Sequence, residues 1–317
     1  MKSRPSGANT EGLFVSYPDI VLLNNQMKRI LLIATAILTV FSVKAQVNLQ
    51  LHYDFGRHLY TRTHDNRADL SAQTDENGDH IKGSGRMYLT ATTEMFKPDK
   101  FGSTFFFIDL DFNDRMNGAY WEIARELCFW NQSKVNWLSI HLEYNGGFNA
   151  YGPSYDGFNY PGTKYNDAWL FGLTYSGHSA DFSKTWSISA MYKLIPNTVN
   201  MDGKKDIHNF QITGVWGINF AKGKSGNYWC TFSGYFDFWR QWRPWQIHAY
   251  KNPTDFKQGT QFIFMGEPQF WVNFNAIECF AKNDVNLSIG TEVEISNNFI
   301  GTGGFYAIPT LGIKWTF

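Results

Sequence analysis

From Val47 onward the chain alternates apolar and polar residues with a period of two, segment after segment. Val47, Leu49, Leu51, Tyr53 and Phe55 alternate with Asn48, Gln50, His52 and Asp54. Phe106, Ile108, Leu110 and Phe112 alternate with Asp109 and Asp111, and Leu138, Ile140, Leu142 and Tyr144 with Ser139, His141, Glu143 and Asn145. Successive side chains of a strand point to opposite sides, so each such run is a strand with one apolar and one polar face. The pattern returns at 86–95, 121–129, 167–176, 185–194, 207–219, 228–239, 261–275, 285–295 and 305–317, which makes twelve strands. Alternation also reconciles an aromatic content of 18% with a mean hydropathy of only −0.34. A chain so aromatic is not disordered.

The connections alternate in length as well. Short ones fall near 97–102, 131–135, 177–184, 221–226 and 281–284, and longer ones at 59–84, 113–119, 148–166, 196–206, 240–259 and 296–303. Short turns at one end and long loops at the other are the habit of outer-membrane barrels, whereas a soluble sandwich has no such rule. A membrane-crossing strand needs about 9–11 residues, which most segments supply. Aromatic rings recur near strand ends, among them Phe55, Phe96, Phe101, Trp121, Trp169, Trp186, Trp239 and Trp315, where girdles at the headgroup level are expected. The last strand closes on Trp315 and Phe317, a C-terminal aromatic pattern that bacterial outer-membrane assembly recognises. The expected fold is therefore all-β, an antiparallel transmembrane β-barrel of about twelve strands over residues 46–317, with both ends of the barrel chain on the periplasmic side.

The one long apolar run, Ile30 to Phe41, is too short for a comfortable membrane helix of about 20 residues. Met27-Lys28-Arg29 precedes it and Ser42-Val43-Lys44-Ala45 follows. A basic start, an apolar stretch and a small-residue exit make a secretory signal over 27–45, cleaved after Ala45. Residues 1–26 then read as a mis-called N-terminal extension, with Met27 as the true start. A retained signal anchor is the alternative.

Composition narrows function by exclusion. The 28 basic and 28 acidic residues balance, and no basic tract appears, so no nucleic-acid partner is expected. Cys128, Cys230 and Cys279 form neither a disulfide framework nor a CxxC motif. Gly223-Lys224-Ser225 looks like the end of a P-loop, but Ile218 stands where glycine is required. The eight histidines show no metal spacing, so no metal or cofactor is expected. Outer-membrane barrels can host acyl transfer or proteolysis, which need a nucleophile held by a histidine base. The Ser, Asp and His residues here are scattered without such a neighbourhood.

The polar parity defines the lumen, because a charge on the lipid face costs about 2–4 kcal/mol at the midplane. It places His52, Asp54, Arg86, Tyr88, Glu94, Lys193, Glu292, Glu294 and Lys314 inside. The candidate pore-lining residues are Phe105, Phe107, Asp109, Asp111, Glu122, Glu126, Trp137, His141, Glu143, Asp237 and Trp271. Arg125 falls on the apolar parity, and a β-bulge is expected to turn it inward. Two readings of the charges stand: mutual salt bridges that fill a sealed barrel, or a narrow polar conduit with aromatic rungs. Trp239 to Trp245, rich in Trp and Arg, is expected at the extracellular rim, either greeting solutes or gripping lipid headgroups.

The strand Phe105-Phe106-Phe107-Ile108-Asp109, followed by Tyr120-Trp121-Glu122-Ile123-Ala124-Arg125, resembles the Tsx-type nucleoside-specific channels of the bacterial outer membrane. The form is the diverged one typical of Bacteroidetes, known as the domain of unknown function DUF5020. Arg125-Glu126 stands where those channels carry Pro-Arg. Gly234 to Trp239 and the closing strand Gly303 to Phe317 are further echoes, and the similarity spans the mature chain as strand order and length. The resemblance implies a monomeric twelve-stranded barrel in outer-membrane lipid, with nucleosides as suggested cargo. The expected function is passive diffusion of small polar solutes. A sealed structural or surface-interaction barrel, and a barrel enzyme, are the alternatives. Mass analysis or Edman sequencing of the membrane-extracted protein should find its N-terminus at Gln46, and an N-terminus upstream of Met27 would overturn both the start site and the cleavage site.

Overall fold

The computed structural model describes residues 46–55, 88–112, 116–155, 158–164, 167–198, 205–246, 256–299 and 305–317. The expected extension, the signal sequence, the 59–84 connection and Arg86 lie outside the described residues. The strands are β1 (Gln46–Asp54), β2 (Leu89–Asp99), β3 (Gly102–Phe112), β4 (Met116–Leu127), β5 (Leu138–Tyr155), β6 (Phe158–Lys164) and β7 (Ala168–His178). They continue as β8 (Lys184–Leu194), β9 (His208–Lys222), β10 (Tyr228–Gln246), β11 (Phe256–Gly266), β12 (Gln269–Asn273), β13 (Leu287–Asn297) and β14 (Phe305–Thr316). Every pairing is antiparallel, and β14 returns to β1 with Ile313 opposite Leu51. β6 and β7 share one place beside β5, and β11 and β12 share one beside β10, so the wall has twelve staves. Among the described residues the twelve staves close on one another, so the wall itself has no open edge, the requirement for a sheet that crosses a bilayer; only the β5–β6 and β10–β11 extensions have an unpaired side.

Burial is the inverse of a soluble protein's. In β1, Leu49 is 44% exposed and Leu51 39%, while Gln50 is 4% exposed and His52 3%. The same inversion runs through β7 and β8, where Phe171, Leu173, Ile188 and Tyr192 are exposed and Thr174, Ser189 and Lys193 buried. An apolar exterior around a polar interior is the arrangement of transmembrane barrels. A soluble sandwich is thereby excluded.

β1 begins and β14 finishes at one end, called here the near end; the Phe317 amide donates to the Val47 carbonyl at 2.8 Å. Its turns follow the expected pattern. In the β7–β8 turn, Asp181 accepts from the Ser179 hydroxyl at 2.6 Å and the Ser183 hydroxyl at 2.8 Å. These hydrogen bonds hold the Asp181 carboxyl below the usual carboxylate range. The β12–β13 connection is longer than the expected 281–284, because β12 stops at Asn273 and a 3-10 turn (Phe274–Ala276) and one helical turn (Glu278–Ala281) follow.

Several expected loops at the far end are strand. The segment 148–166 continues β5 to Tyr155 against β6, and 240–259 continues β10 to Gln246 against β11. At 18 and 19 residues, β5 and β10 exceed the roughly 9–11 that cross a bilayer, so both hairpins extend past the barrel wall. The connection expected at 113–119 is shorter, since β4 starts at Met116. The run 261–275 is not one strand. Pro268 has no N–H for the ladder, and the stave breaks at Glu267-Pro268 without changing register.

Arg125 corrects another expectation. It pairs regularly with Thr104 and Leu142, and the irregularity in the β3–β4 pairing lies at Asp111/Phe112 instead. Arg125 stays on the outer face and binds Asp99 through both guanidinium nitrogens, at 2.5 and 2.9 Å. Asp99 is the last residue of β2, so this pair sits at the near-end rim, where the cost of an outward charge is lowest.

Glycine and large aromatics face each other across the ladder repeatedly: Gly146 with Trp121, Gly177 with Trp186, Gly214 with Phe236, Gly234 with Trp216 and Gly290 with Trp271. In each case the ring lies where a glycine Cβ would stand. The missing side chain makes room for the ring, and the ring covers the bare backbone. A Cβ at Gly290 would lie 2.2 Å from the Phe270 carbonyl oxygen as well as 2.6 Å from the Trp271 ring, whereas at Gly146 it meets only Trp121, at 2.9 Å. Gly290→Val should therefore lower stability by about 1–3 kcal/mol, and Gly146→Ala by much less, since its neighbour is a side chain able to shift. Urea titration in micelles, read by the gel mobility of folded barrel, checks this; equal losses would refute it.

Candidate functional site

The inward faces enclose one continuous cavity of 2830 Å³. It is lined from Asn48, Ser103 and Phe317 at the near end to Asp54, Asn149 and Thr198 at the far end. A pocket built for one small ligand measures about 300–1,000 Å³, so this is a lumen.

Across β3 and β4, register sets an aromatic tier beside carboxylates. Phe107 lies opposite Glu122 and Asp109 opposite Tyr120. The Phe105 and Phe107 rings are 5.9 Å apart, as are those of Phe107 and Tyr120. Tyr120 donates its hydroxyl to Glu122 at 2.5 Å. Asp109 accepts from the Thr92 hydroxyl at 2.5 Å and Asp111 from that of Thr90 at 2.8 Å.

A second group spans β4, β5 and β7. His141 Nδ1 lies 2.6 Å from Glu126 and its Nε2 3.0 Å from Glu143. Ser139 and Thr174 donate hydroxyls to Glu126, and the Thr174 oxygen is 3.5 Å from His141 Nδ1. The Thr174 hydroxyl is thus closer to the carboxylate, and to Ser189 at 2.7 Å, than to the imidazole. Glu143 is 8% exposed, and its Oε1 is buried without a hydrogen-bond partner.

The opposite wall carries two lysine–tryptophan pairs. Lys193 donates to Gln211 Oε1 at 2.6 Å and lies over the Trp239 ring at 4.8 Å. Gln211 donates to Asp237 at 3.0 Å, and Thr213 also donates to Asp237. Lys314 lies over the Trp271 ring at 4.1 Å, and His52 meets the same ring edge-on. Gln269 accepts from Trp271 Nε1 at 2.9 Å and donates to Glu292 at 2.6 Å.

The structure thus brings Phe105, Phe107, Asp109, Asp111, Glu122, Glu126, His141, Glu143 and Asp237 onto the cavity wall. Trp271 points inward but is 0% exposed, so it forms wall behind Lys314 and His52. Trp137 also lines the cavity, at its near-end mouth. It precedes β5 at the near-end rim, and its ring packs 5.4 Å from Tyr175, on the outward parity opposite Leu138. Two residues expected in girdles, Trp239 and Phe96, lie inside. Trp239 and Gln241 share the inward parity, Arg240 turns to Asp206 and Asn209, and the side chains of Trp242 to Trp245 lie outside the described residues.

Sequence reasoning missed Tyr120, which stands two residues before Glu122 and shares its face. It also missed Glu267, two before Gln269 and four before Trp271 on one parity. Among the described residues, eleven carboxylates line the cavity against two lysines, Lys193 and Lys314, and no arginine. Also among the described residues, no cluster of His, Cys, Asp and Glu has a metal-holding arrangement, and the three cysteines are free.

No curated protein matches the chain by sequence. Among solved structures, LpxR from Salmonella typhimurium is similar at 9% identity and a TM-score of 0.39, with 86% of this chain and 100% of that one covered. A bacterial polysaccharide outer membrane secretin is similar at 9% identity and a TM-score of 0.25, covering 86% and 97%. P. aeruginosa FpvA bound to a heterologous pyoverdine with iron is similar at 14% identity and a TM-score of 0.29, covering 75% and 34%. The model of one family, described as Domain of unknown function (DUF5020), matches residues 45–317, and the chain belongs to that family.

Proposed function

We propose that this barrel sits in the bacterial outer membrane and lets small polar solutes cross passively, favouring cationic and neutral ones over anions. The observation that carries the reading is the eleven-to-two excess of carboxylates over lysines around a cavity lined from one barrel end to the other. Low-dielectric walls focus such a field, so anions meet a barrier and cations an attraction. Hydroxyls and amides that donate to Asp109, Asp111, Glu122 and Asp237 hold these groups in place on the cavity wall. Nucleosides are the first cargo to try. The Phe105–Phe107–Tyr120 tier offers a ring to stack on, and Asp109 and Glu122 offer acceptors for amino or ribose hydroxyl groups.

In planar bilayers the purified protein should conduct, with a reversal potential in a salt gradient that marks cation preference. Asp109→Asn with Asp111→Asn should move that potential towards zero. Stacking on one ring is worth about 1–3 kcal/mol, so Phe107→Ala should weaken nucleoside block roughly tenfold with little change in open conductance. Absence of conductance would leave the sealed barrel. Conductance without nucleoside block would leave a general pore.

Orientation is tested separately. An epitope placed between Tyr155 and Phe158, at the tip of the β5–β6 hairpin, should be labelled on intact cells. The same epitope within 131–135 should be silent until the outer membrane is opened. Labelling at 131–135 on intact cells would reverse the assignment of near end to periplasm.

A further inference from the structure

We infer that the lumen contains two ammonium sites in series, each an indole face backed by carboxylates, and that among the solutes it admits those carrying a primary ammonium group are bound at these sites. This rests on the channel reading and narrows its cargo. The same construction occurs twice on unrelated strands. In the first site Trp271, on β12, ties its indole N–H to Gln269, two residues away on the same strand, at 2.9 Å. In the second, Trp239, on β10, ties its N–H to Gln241, also two residues away, at 3.0 Å. Fixing the N–H locks each ring with its face towards an ammonium. Lys314 Nζ stands 4.1 Å from the Trp271 centroid, and Lys193 Nζ 4.8 Å from that of Trp239. The two lysines of the cavity therefore both occupy indole faces.

Carboxylates complete each site. Glu94 and Glu292 act on Lys314 electrostatically, and Gln269 couples the Trp271 indole to Glu292 through its own amide. Asp237 is linked to Lys193 through Gln211, and register sets Glu143 at the same level, across Leu170 of β7; both Glu143 and Lys193 act electrostatically on Asp237. Glu143 is more than nine-tenths buried, and its Oε1 accepts no hydrogen bond, so it retains an acceptor for a cation's N–H. An indole face with carboxylates at its side suits an alkylammonium: the ring quadrupole attracts the charge and the carboxylates accept the N–H groups. A neutral alcohol gains nothing from the ring face, and an anion is repelled by the carboxylates.

Register sets the two sites at different depths. Lys314 stands opposite Gln50, four residues from the near-end start of β1. Lys193 is the penultimate residue of β8, at the far end. A solute crossing the barrel meets one and then the other. Each resident lysine is a tethered competitor that a passing ammonium displaces, which keeps occupancy weak enough for release at either end.

The test uses the whole barrel in micelles, with cadaverine as probe and pentanediol and glutarate as neutral and anionic controls. Tryptophan fluorescence and calorimetry should show millimolar binding of cadaverine and none of either control. Lys193→Met with Lys314→Met keeps the alkyl stems, removes the competitors and should tighten cadaverine binding by about tenfold, the scale of a cation–aromatic contact. The inference is overturned if wild type binds pentanediol as well as cadaverine, if it binds neither, or if the methionine pair binds cadaverine no better. Should the methionine pair fail to assemble, the wild-type comparison of the probe with its controls decides. Because binding is read in micelles, a barrel that binds cadaverine but never conducts would refute the channel reading alone.

Discussion

The backbone ladder has to close, and everything else in the molecule is arranged around that closure. In an apolar medium an unpaired N–H or carbonyl costs several kcal/mol, so a sheet there tolerates no edge. β14 therefore returns to β1 over seven residue pairs, and the final amide, that of Phe317, bonds to Val47. Closure divides every strand into one parity for lipid and one for the interior. The glycine–aromatic pairs serve the same end: they let bulky rings lie flat on the ladder without pushing neighbouring strands apart.

The barrel's balanced composition conceals a segregation. With 28 acidic and 28 basic residues, the chain offers no electrostatic clue to its partners. Folding sorts the charges. Carboxylates gather on the inward parity, while Lys100, Lys134, Lys224 and Lys282 stand exposed at near-end turns and Arg125 is matched by Asp99 at the rim. Net charge measures the sum, and a conduit responds to the charges along its path.

Strand existence and facing were legible because period two is a local property. One counts along β1 or β5 and reads which side each residue takes. What was not legible depends on relations between strands. The far-end hairpins at 148–166 and 240–259 contain Pro153, Pro161 and Pro244, which look like loop residues until a partner strand is seen beside them. Arg125 required its partner, Asp99, which is 26 residues earlier in sequence and one hairpin away in space. Trp137 precedes β5, where the pleat no longer fixes direction, and it lines only the mouth of the cavity. Trp239 reads as a girdle residue by position and is an interior one by parity; parity wins, because the hydrogen bonds of β10 fix it. Parity turns the mid-strand candidates Phe107, Asp109, Glu122 and His141 towards the cavity.

The two readings of the charged interior differ in what satisfies the carboxylates. A sealed, salt-bridged filling requires each acid to be met by a fixed cation. The described interior instead supplies mostly neutral donors: Thr92 to Asp109, Thr90 to Asp111, Tyr120 to Glu122, Thr213 and Gln211 to Asp237, Gln269 to Glu292, and Asn48 and Gln50 to Glu94. Neutral donors orient a carboxylate and stabilise its charge while leaving its field in place. Two lysines cannot neutralise eleven carboxylates, and both are drawn aside onto indole rings. His141 is a further basic group in the described network, between Glu126 and Glu143. On the proposed channel reading, acids held by neutral donors around a cavity of this size are the groups a passing cation meets.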